Sequence, residues 1–226
     1  MYDISHAGFA VEGNEISYHQ LLVSNWVLIH SGTVQRPFYP FATQFSNVRT
    51  REKQLRKLMI PDKLPATNPS SGGPLGKMSM SAGDFLLVYG GQDAKASFHV
   101  VVTVFFIDTA PNFVRYVETV LNCLREGGIW INNGPLLWHQ PQGKTATQNW
   151  DVQSPESSDK TDCDHGIGEP GSVELTEEDV LWLLEKKGFQ VEKRAGYSSS
   201  SVGYMQDPDS LFQNNYKLSA WVATKK

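Results

Sequence analysis

The sequence predicts an α/β fold built around a parallel sheet, and two observations indicate it. Residues 98–107 form one β-branched and aromatic run, which is typical of a strand buried on both faces of a sheet. A pattern of apolar residues at spacings of three and four follows, and residues 129–132 then form a second short apolar run. A strand, a helix and a second strand in so short a stretch are the pattern of a parallel α/β unit.

The elements before this unit are predicted from short local patterns. Residues 1–8 resemble the last turn of a helix that ends at a C-cap glycine, and residues 9–15 predict a short strand closed by polar residues. Residues 17–28 predict a helix that packs by one face. Its side chains at helical spacings are Leu21, Leu22, Asn25, Trp26 and Leu28.

A long connection follows over residues 31–77, which are rich in Pro, Gly, Ser, Thr and Asn. Connections of this length are usually lids, binding loops or disordered insertions, so function or mobility is expected here. Within it, the mixed basic stretch 49–57 predicts one short helix. Residues 77–82 predict a strand at its end.

The helix between the two apolar runs is expected to begin at Pro111, which suits a first helical position, and to run to Leu124. The pair Gly127-Gly128 is expected to stop it. The strand at 129–132 is expected to end at Gly134-Pro135.

The C-terminal third begins with a polar stretch, residues 140–172, which predicts a flexible insertion. Thr176 and Asp179 resemble a capping box that opens a helix, which Gly188 ends. The inward-facing residues of this helix are expected to be Val180, Leu183 and Leu184. Residues 189–194 and 217–224 predict the last two strands.

A single domain over residues 1–226 is the expected organisation, with flexible insertions at about 61–77 and 140–172. The net charge is -4, and Lys and Arg occur in runs no longer than a pair, so neither nucleic acid nor a membrane surface is an expected partner. Cys123 and Cys163 are the two cysteines, which favours a reducing compartment. The longest apolar run, 98–107, is too short to cross a bilayer. A soluble intracellular protein with a small-molecule or peptide partner is expected.

Four polar positions directly follow predicted strands, where ligands collect in doubly wound sheets. Glu15 follows the first strand, and its carboxylate offers two acceptor oxygens for the hydroxyls of a ribose; the alternative is a charge at a helix N-terminus. Asp84 follows the second and could accept from an exocyclic amino group, with Phe85 stacking against a base; the alternative is a turn aspartate after glycine.

The other two positions follow the apolar runs. Asp108 closes the run at 98–107 with little water behind it, so its carboxylate needs a partner, either a substrate nitrogen or the start of the next helix. His139 follows the run at 129–132 and could accept a proton or orient an imidazole-bearing substrate, although such a residue is more often structural.

Two other kinds of site are not expected. The sequence has no Gly-x-Ser-x-Gly elbow, so acyl transfer by a serine nucleophile has no support. Cys163 and His165 lie in a polar loop with no second cysteine pair, so no metal site is expected.

Five motifs together resemble the carnosine N-methyltransferase family, in order and in spacing. They are Gly-Asn-Glu-Ile-Ser-Tyr at 13–18, Gln-Phe-Ser-Asn at 44–47, Ser-Ala-Gly-Asp-Phe at 81–85, Phe-Phe-Ile-Asp-Thr-Ala-Pro-Asn at 105–112, and Gly-Gly-Ile-Trp-Ile-Asn-Asn-Gly-Pro-Leu-Leu-Trp-His at 127–139. The resemblance covers nearly the whole chain outside the loops at 65–77 and 140–172.

The resemblance implies a seven-stranded, Rossmann-like class I methyltransferase that takes S-adenosylmethionine as methyl donor and methylates an imidazole nitrogen of carnosine, forming anserine. By matching motifs, Glu15 would hold the ribose, Asp84 and Phe85 would meet the adenine, and Val104 would lie near the cofactor. The acceptor pocket would be lined by four side chains, the first two of them catalytic: Asp108, His139, Tyr204 and Tyr216.

Relatives of this family carry a strand, a glycine-rich turn and a helix before the position of Gly8, so the sheet is expected to lack its first strand, that loop and that helix. A non-catalytic methyltransferase-like protein is therefore one alternative. A methyltransferase for another histidine-containing peptide or small molecule is a second. The expected location is the cytoplasm, with the nucleus as a second compartment, and a homodimer is one expectation for the assembly.

Overall fold

The computed structural model describes residues 1–27, 35–60, 76–138, 173–194, 202–203 and 207–226. The chain divides into two compact units, the first formed by Met1–Val88 with Val202–Asn215 and the second by Tyr89–Ser201 with Tyr216–Lys226. The single domain stays a prediction. The predicted insertion at 140–172 lies outside the described residues, as does the one at 61–77 except for its last two positions.

The first unit contains two small sheets and short helices. Its elements are α1 (Tyr2–His6), β1 (Val11–Glu15), α2 (Tyr18–Asn25), β2 (Arg36–Phe38), α3 (Arg51–Gln54), β3 (Leu58–Ile60), β4 (Met78–Ala82) and α4 (Phe85–Tyr89), the last of which ends one residue inside the second unit. β1 and β4 are parallel, and β2 and β3 are antiparallel. The predicted helix stub, the two strands and the short basic helix are confirmed, and Gly8 has the positive φ (91°) of a C-cap glycine.

The predicted one-sided packing of the second helix is wrong. α2 is present, but none of its residues is buried, and Leu22 is 50% exposed. The α-helical part of this segment ends at Asn25. Trp26 and Val27 continue in a π-helical turn, and the ring of Trp26 packs against Phe38, 6.4 Å between centroids.

In its described residues, the second unit contains a four-stranded mixed sheet and two α-helices. Its elements are β5 (Phe98–Val104), α5 (Phe113–Cys123), β6 (Leu124–Gly134), α6 (Glu177–Lys186), β7 (Phe189–Arg194) and β8 (Ser219–Lys225). The strand order is β5-β6-β8-β7. β5 and β6 are parallel and joined through α5, which confirms the predicted strand-helix-strand unit, whereas β8 runs antiparallel to both of its neighbours.

β5 departs from its prediction in length and in burial. It ends at Val104, because Phe105 has a positive φ (50°) and a 3-10 turn, Ile107–Thr109, follows. In the described sheet β5 is an edge strand, and Val100, Val102 and Val104 are 43%, 48% and 57% exposed. The expected burial on both faces is therefore wrong for these residues, since a β-branched run reports strand propensity and not what covers each face.

The boundaries of α5 also differ from those expected. Asn112 is the N-cap and accepts a hydrogen bond from the Val114 amide (3.1 Å), so Pro111 precedes the cap and is not the first helical residue. The Gly-Gly pair does not stop the helix, which ends at Cys123. The pair lies within β6 at an irregularity, where the register opposite Phe98 and Val100 shifts.

The C-terminal elements follow their predictions closely. The capping box of Thr176 and Asp179 opens α6, and Gly188 follows its end with a φ of 104°. Val180 and Leu184 of this helix are fully buried, and Leu183 is half-buried. β6 ends at Gly134 as expected. No helix in the described part of the chain is long and apolar enough to cross a membrane.

Candidate functional site

Glu15 is the last residue of β1, and one oxygen of its carboxylate is held by the chain that follows. Oε1 accepts hydrogen bonds from the amides of Ile16 (2.9 Å) and Ser17 (2.7 Å). These bonds at the start of the next helix are the local role that the sequence analysis gave as the alternative to ribose binding. Among the described residues Oε2 receives no hydrogen bond, so one acceptor oxygen remains available at the end of the strand.

Asp84 follows β4, the parallel neighbour of β1, and repeats this arrangement. Its Oδ1 accepts from the amides of Leu86 (2.9 Å) and Leu87 (3.3 Å) and so caps the start of α4. Its Oδ2 has no donor among the described residues. Glu15 lies opposite Ala82 in the register, so the two carboxylates stand at the same edge of the first sheet.

Asn14 and Gly83 hold these two strand ends together, and the sequence analysis gave neither residue a role. The Asn14 amide Nδ2 donates to the carbonyl oxygens of Ser81 (3.3 Å) and Gly83 (3.1 Å), and the Gly83 amide donates to the carbonyl of Glu15 (3.0 Å). Gly83 has a φ of 150°, and a Cβ there would come within 2.9 Å of Val88 Cγ2. The positive φ and the nearby Val88 side chain on α4 therefore favour glycine at 83, in the turn that leads to Asp84.

Asp108 lies in the 3-10 turn after β5 and is fully buried. Its Oδ2 accepts a hydrogen bond from the Leu137 amide (3.1 Å), in the segment after β6. Its Oδ1 is buried and has no hydrogen-bond partner among the described residues. Asp108 does not cap α5, which was its alternative role, because Asn112 is the N-cap of that helix. A buried acceptor without a donor is costly, so Asp108 is suited to receive a donor from a ligand.

The two segments that meet at Asp108 are also joined through their backbones. The Phe105 amide donates to the carbonyl of Asn133 (3.0 Å). A Cβ at Gly134 would lie 2.9 Å from the Phe105 nitrogen. Glycine at 134 therefore permits β6 to end against the turn that leads to Asp108.

The remaining predicted site residues lie at different places. Val104 is the last residue of β5 and is 57% exposed. Tyr216 is half-buried and precedes β8, which starts opposite Gly134, so Tyr216 lies at the edge of the second sheet where β6 ends. His139 and Tyr204 lie outside the described residues, and their roles stay predictions.

A buried polar network beneath this edge was missed by sequence reasoning. The indole nitrogen of Trp130 donates to Thr103 Oγ1 (3.0 Å), Thr103 donates to Asn132 Oδ1 (2.9 Å), and Asn132 Nδ2 donates to the carbonyl of Ser219 (2.8 Å). Asn132 is 1% exposed. Its side chain therefore bridges β5 and β8 across β6. A polar residue inside an otherwise apolar strand was the signal for it.

An ion-pair cluster in the first unit anchors the segment that follows Tyr204. Lys53 pairs with Asp209 (2.6 Å), and Arg56 pairs with Asp207 (3.4 Å). The hydrogen bond and charge of Asp209 raise the pKa of Lys53 above its ordinary value, and the hydrogen bond from Lys53 lowers the pKa of Asp209. These pairs link residues 207–209 to the helix α3 region.

Three carboxylates carry acceptor oxygens that receive no hydrogen bond from the described residues, two in the first unit and one in the second. The open oxygens of Glu15 and Asp84 can accept from hydroxyls and an exocyclic amine, and Oδ1 of Asp108 can accept from a ring N-H. The described residues contain no group of three or more His, Cys, Asp or Glu side chains arranged to hold a metal ion.

The family model described as carnosine N-methyltransferase matches residues 1–226. The chain belongs to the carnosine N-methyltransferase family. Membership of this family, together with the mixed α/β sheets, confirms the predicted Rossmann-like class I methyltransferase fold.

Individual members of the family are similar to this chain along nearly all of its length. The carnosine N-methyltransferase of Schizosaccharomyces pombe is 38% identical over 223 residues, which are 98% of this chain and 54% of that protein. The carnosine N-methyltransferase unmet of Drosophila melanogaster is 34% identical over 226 residues, which are 99% of this chain and 42% of that protein. The chain thus spans about half the length of the curated relatives it matches. A crystal structure of a SAM-dependent methyltransferase from Methanosarcina mazei is 13% identical, with 99% of this chain and 85% of that one covered and a TM-score of 0.48.

Proposed function

We propose that this chain is an S-adenosylmethionine-dependent N-methyltransferase. It methylates the imidazole nitrogen of carnosine, forming anserine, or that of a related histidine-containing dipeptide. Family membership over residues 1–226 supports the proposal. The observation that carries it is the pair formed by Glu15 and Asp84, which lie at the ends of adjacent parallel strands. Each keeps one carboxylate oxygen that receives no hydrogen bond from the described residues.

On the donor side, the proposal assigns the first unit to the nucleoside. S-adenosylmethionine, when bound, supplies a methyl group activated by its sulfonium. Oε2 of Glu15 would accept from the ribose hydroxyls, and Oδ2 of Asp84 would accept from the adenine amino group. Phe85 offers an aromatic face to the base, and Val104 is proposed as a cofactor neighbour from the matching motifs alone. Because Oε1 and Oδ1 are already bound by backbone amides, the free oxygens need little ordering on binding.

On the acceptor side, Asp108 would accept the N-H of the imidazole through its free Oδ1. Fixing the proton on that nitrogen keeps the lone pair of the opposite ring nitrogen available for reaction, and positioning of this kind supplies much of the rate in transfer reactions. His139 would serve as a second orienting group or proton acceptor, and Tyr204 and Tyr216 would line the pocket. The proton released on methylation would leave through Asp108 or His139 to water.

The donor side is tested by calorimetric titration of the 226-residue chain with S-adenosylhomocysteine, once cooperative unfolding has been confirmed. Glu15→Gln and Asp84→Asn each remove a charge-assisted acceptor and are expected to weaken binding about 10-fold to 100-fold. Asp93→Asn is the matched control, because Asp93 is an exposed acid that ends no strand, and it should bind as the wild type does. A folded wild-type chain that does not bind S-adenosylhomocysteine refutes the proposal for this chain.

The acceptor side is tested by methyl transfer to carnosine. Asp108→Asn is expected to lower turnover at least about 100-fold while leaving S-adenosylhomocysteine affinity unchanged. The amide has a single acceptor oxygen, so it cannot accept from both the Leu137 amide and the imidazole N-H. Full turnover in an Asp108→Asn chain that binds S-adenosylhomocysteine would rule out the role given to Asp108. Transfer to other histidine-containing peptides but not to carnosine would redirect the proposal to another acceptor.

Cell location and assembly are part of the same proposal. The two cysteines in 226 residues and the modest charge support a cytoplasmic protein, with the nucleus as a second compartment. A homodimer is proposed for the assembly. Fractionation of cells and sedimentation of the purified chain test these two points.

A further inference from the structure

Trp138 has a backbone conformation that its residue type seldom adopts. Its φ is 47°, and the side chain is large and 7% exposed. A bulky residue in the left-handed region persists only where surrounding contacts hold it, and such positions concentrate at functional sites. Trp138 directly follows Leu137, whose amide donates to Oδ2 of Asp108.

Two contacts hold Trp138 in place. Its indole nitrogen donates to the carbonyl oxygen of Leu175 (2.8 Å), the residue before the N-cap of α6. Its ring packs edge-to-face on Phe113, the first residue of α5, with 6.0 Å between centroids. The residue is thus tied to the starts of both helices of the second unit.

The hydrogen bond to Leu175 also joins two points that are distant in sequence. Residues 138 and 175 lie on either side of the stretch 139–172 in the sequence, and their contact joins the described segment that ends at Trp138 to the one that leads into α6. The position of Leu137 is therefore set from both sides. On one side β6 ends at Gly134 against the backbone of Phe105, and on the other Trp138 is anchored to α6.

We propose that Trp138 is a positioning residue for Asp108: its anchor on Leu175 and Phe113 holds the Leu137 amide against Oδ2 and so leaves Oδ1 oriented for the acceptor. The orientation is a property of the fold, and its value for methyl transfer rests on the proposed function. A purely structural role, that of a buried aromatic residue filling the core, predicts a loss of stability alone. The positioning role predicts a local loss at Leu137 and Asp108.

The test compares Trp138→Phe with Trp182→Phe in the full chain. Trp138→Phe keeps an aromatic ring but removes the donor to Leu175. Trp182 lies on α6 and is 59% exposed, so its replacement controls for the loss of an indole. Amide hydrogen exchange at Leu137 and the carboxyl carbon chemical shift of Asp108 are measured by NMR, and methyl transfer to carnosine and binding of S-adenosylhomocysteine are measured alongside.

In Trp138→Phe, exchange at Leu137 is expected to accelerate about five- to tenfold, the effect of losing one hydrogen bond, and the Asp108 carboxyl shift should move. The KM for carnosine should rise by a similar factor, while the affinity for S-adenosylhomocysteine stays unchanged. Unchanged exchange at Leu137, or equal acceleration across the whole unit, would overturn the proposal. Lack of methyl transfer in the wild-type chain would contradict the proposed function and leave the exchange result to decide the positioning role.

If Trp138→Phe does not fold, hydrogen exchange in the wild-type chain still tests the positioning role of Trp138. The proposal requires one opening event to release both groups, so the indole N-H of Trp138 and the amide of Leu137 should show the same protection factor. Protection factors that differ by more than about tenfold would mean that Leu137 is held independently of Trp138.

Discussion

Replacement of Asn132 by alanine tests whether the buried polar network stabilises the second unit. Asn132 is 1% exposed and makes two hydrogen bonds, one from Thr103 Oγ1 (2.9 Å) and one to the carbonyl of Ser219 (2.8 Å). Water cannot replace either bond without entering the core. The alanine variant therefore loses both bonds and leaves at least one buried polar group without its partner.

The expected loss follows from these two terms. Two hydrogen bonds contribute about 2 kcal/mol, and an unsatisfied buried carbonyl adds about 1 kcal/mol or more, so Asn132→Ala should lower the free energy of unfolding by about 3 kcal/mol. Asn122→Ala is the matched control. Asn122 also donates through Nδ2 to two carbonyl oxygens, those of Tyr89 (2.9 Å) and Gly91 (2.8 Å), but it is half-buried. Water can replace its bonds, and a loss of about 1 kcal/mol is expected.

Urea unfolding followed by tryptophan fluorescence measures both losses, because Trp130 and Trp221 are buried in the second unit. The slope of the free energy against urea should be the same in wild type and variants, so that the shift in midpoint reports stability. Equal losses for Asn132→Ala and Asn122→Ala, or a loss below about 1 kcal/mol for Asn132→Ala, would refute the reasoning from burial.

Two further predictions concern the helix cap of α6 and the end of β6. The hydrogen bonds from the Thr176 side chain and backbone lower the pKa of Asp179 below its ordinary value of 3.8, so the stabilisation they give is present above 3.8 and is lost as pH falls through the lower folded pKa. The stability difference between wild type and Thr176→Ala, measured by thermal unfolding over about pH 2 to 6, should therefore shrink at the acidic end; a difference that grows there would contradict this sign. Gly134→Ala should cost about 2 kcal/mol, because its Cβ would meet backbone atoms at 2.9 and 3.0 Å, whereas Gly91→Ala, with no atom within 4 Å, should change urea stability by less than about 0.5 kcal/mol. Equal costs at the two glycines would show that the contact is relieved by small shifts.

Elements whose boundaries are set by residues nearby in the sequence were predicted well. α6 is the clearest case, because Thr176, Asp179 and Gly188 carry its start and end within the local sequence. Where two local signals compete, the prediction was wrong. Pro111 suits a first helical position, but Asn112 follows it with a side-chain acceptor for the Val114 amide, and this hydrogen bond sets the start of α5.

Features that depend on what packs against a strand were not predictable from the strand itself. The apolar run of β5 predicted burial on both faces, yet in the described sheet only the Thr103 side is covered. The same limit applies to the site. Glu15 and Asp84 were singled out because each follows a strand, but their neighbourhood rests on the pairing of β1 with β4, and Asn14 donates across that pairing to a carbonyl 67 residues away.

Three carboxylates share one arrangement that local capping alone does not explain. In Glu15, Asp84 and Asp108, one oxygen is bound by backbone amides and the other has no donor among the described residues. For Glu15 and Asp84, which are half-buried, water can satisfy the second oxygen, so a purely local role costs little. Asp108 is fully buried, and its free oxygen has no such compensation in the described structure. A residue kept there only to bind the Leu137 amide would be served as well by a neutral acceptor. The uncompensated oxygen of Asp108 is therefore the strongest single indication in the second unit that a ligand donor belongs beside it.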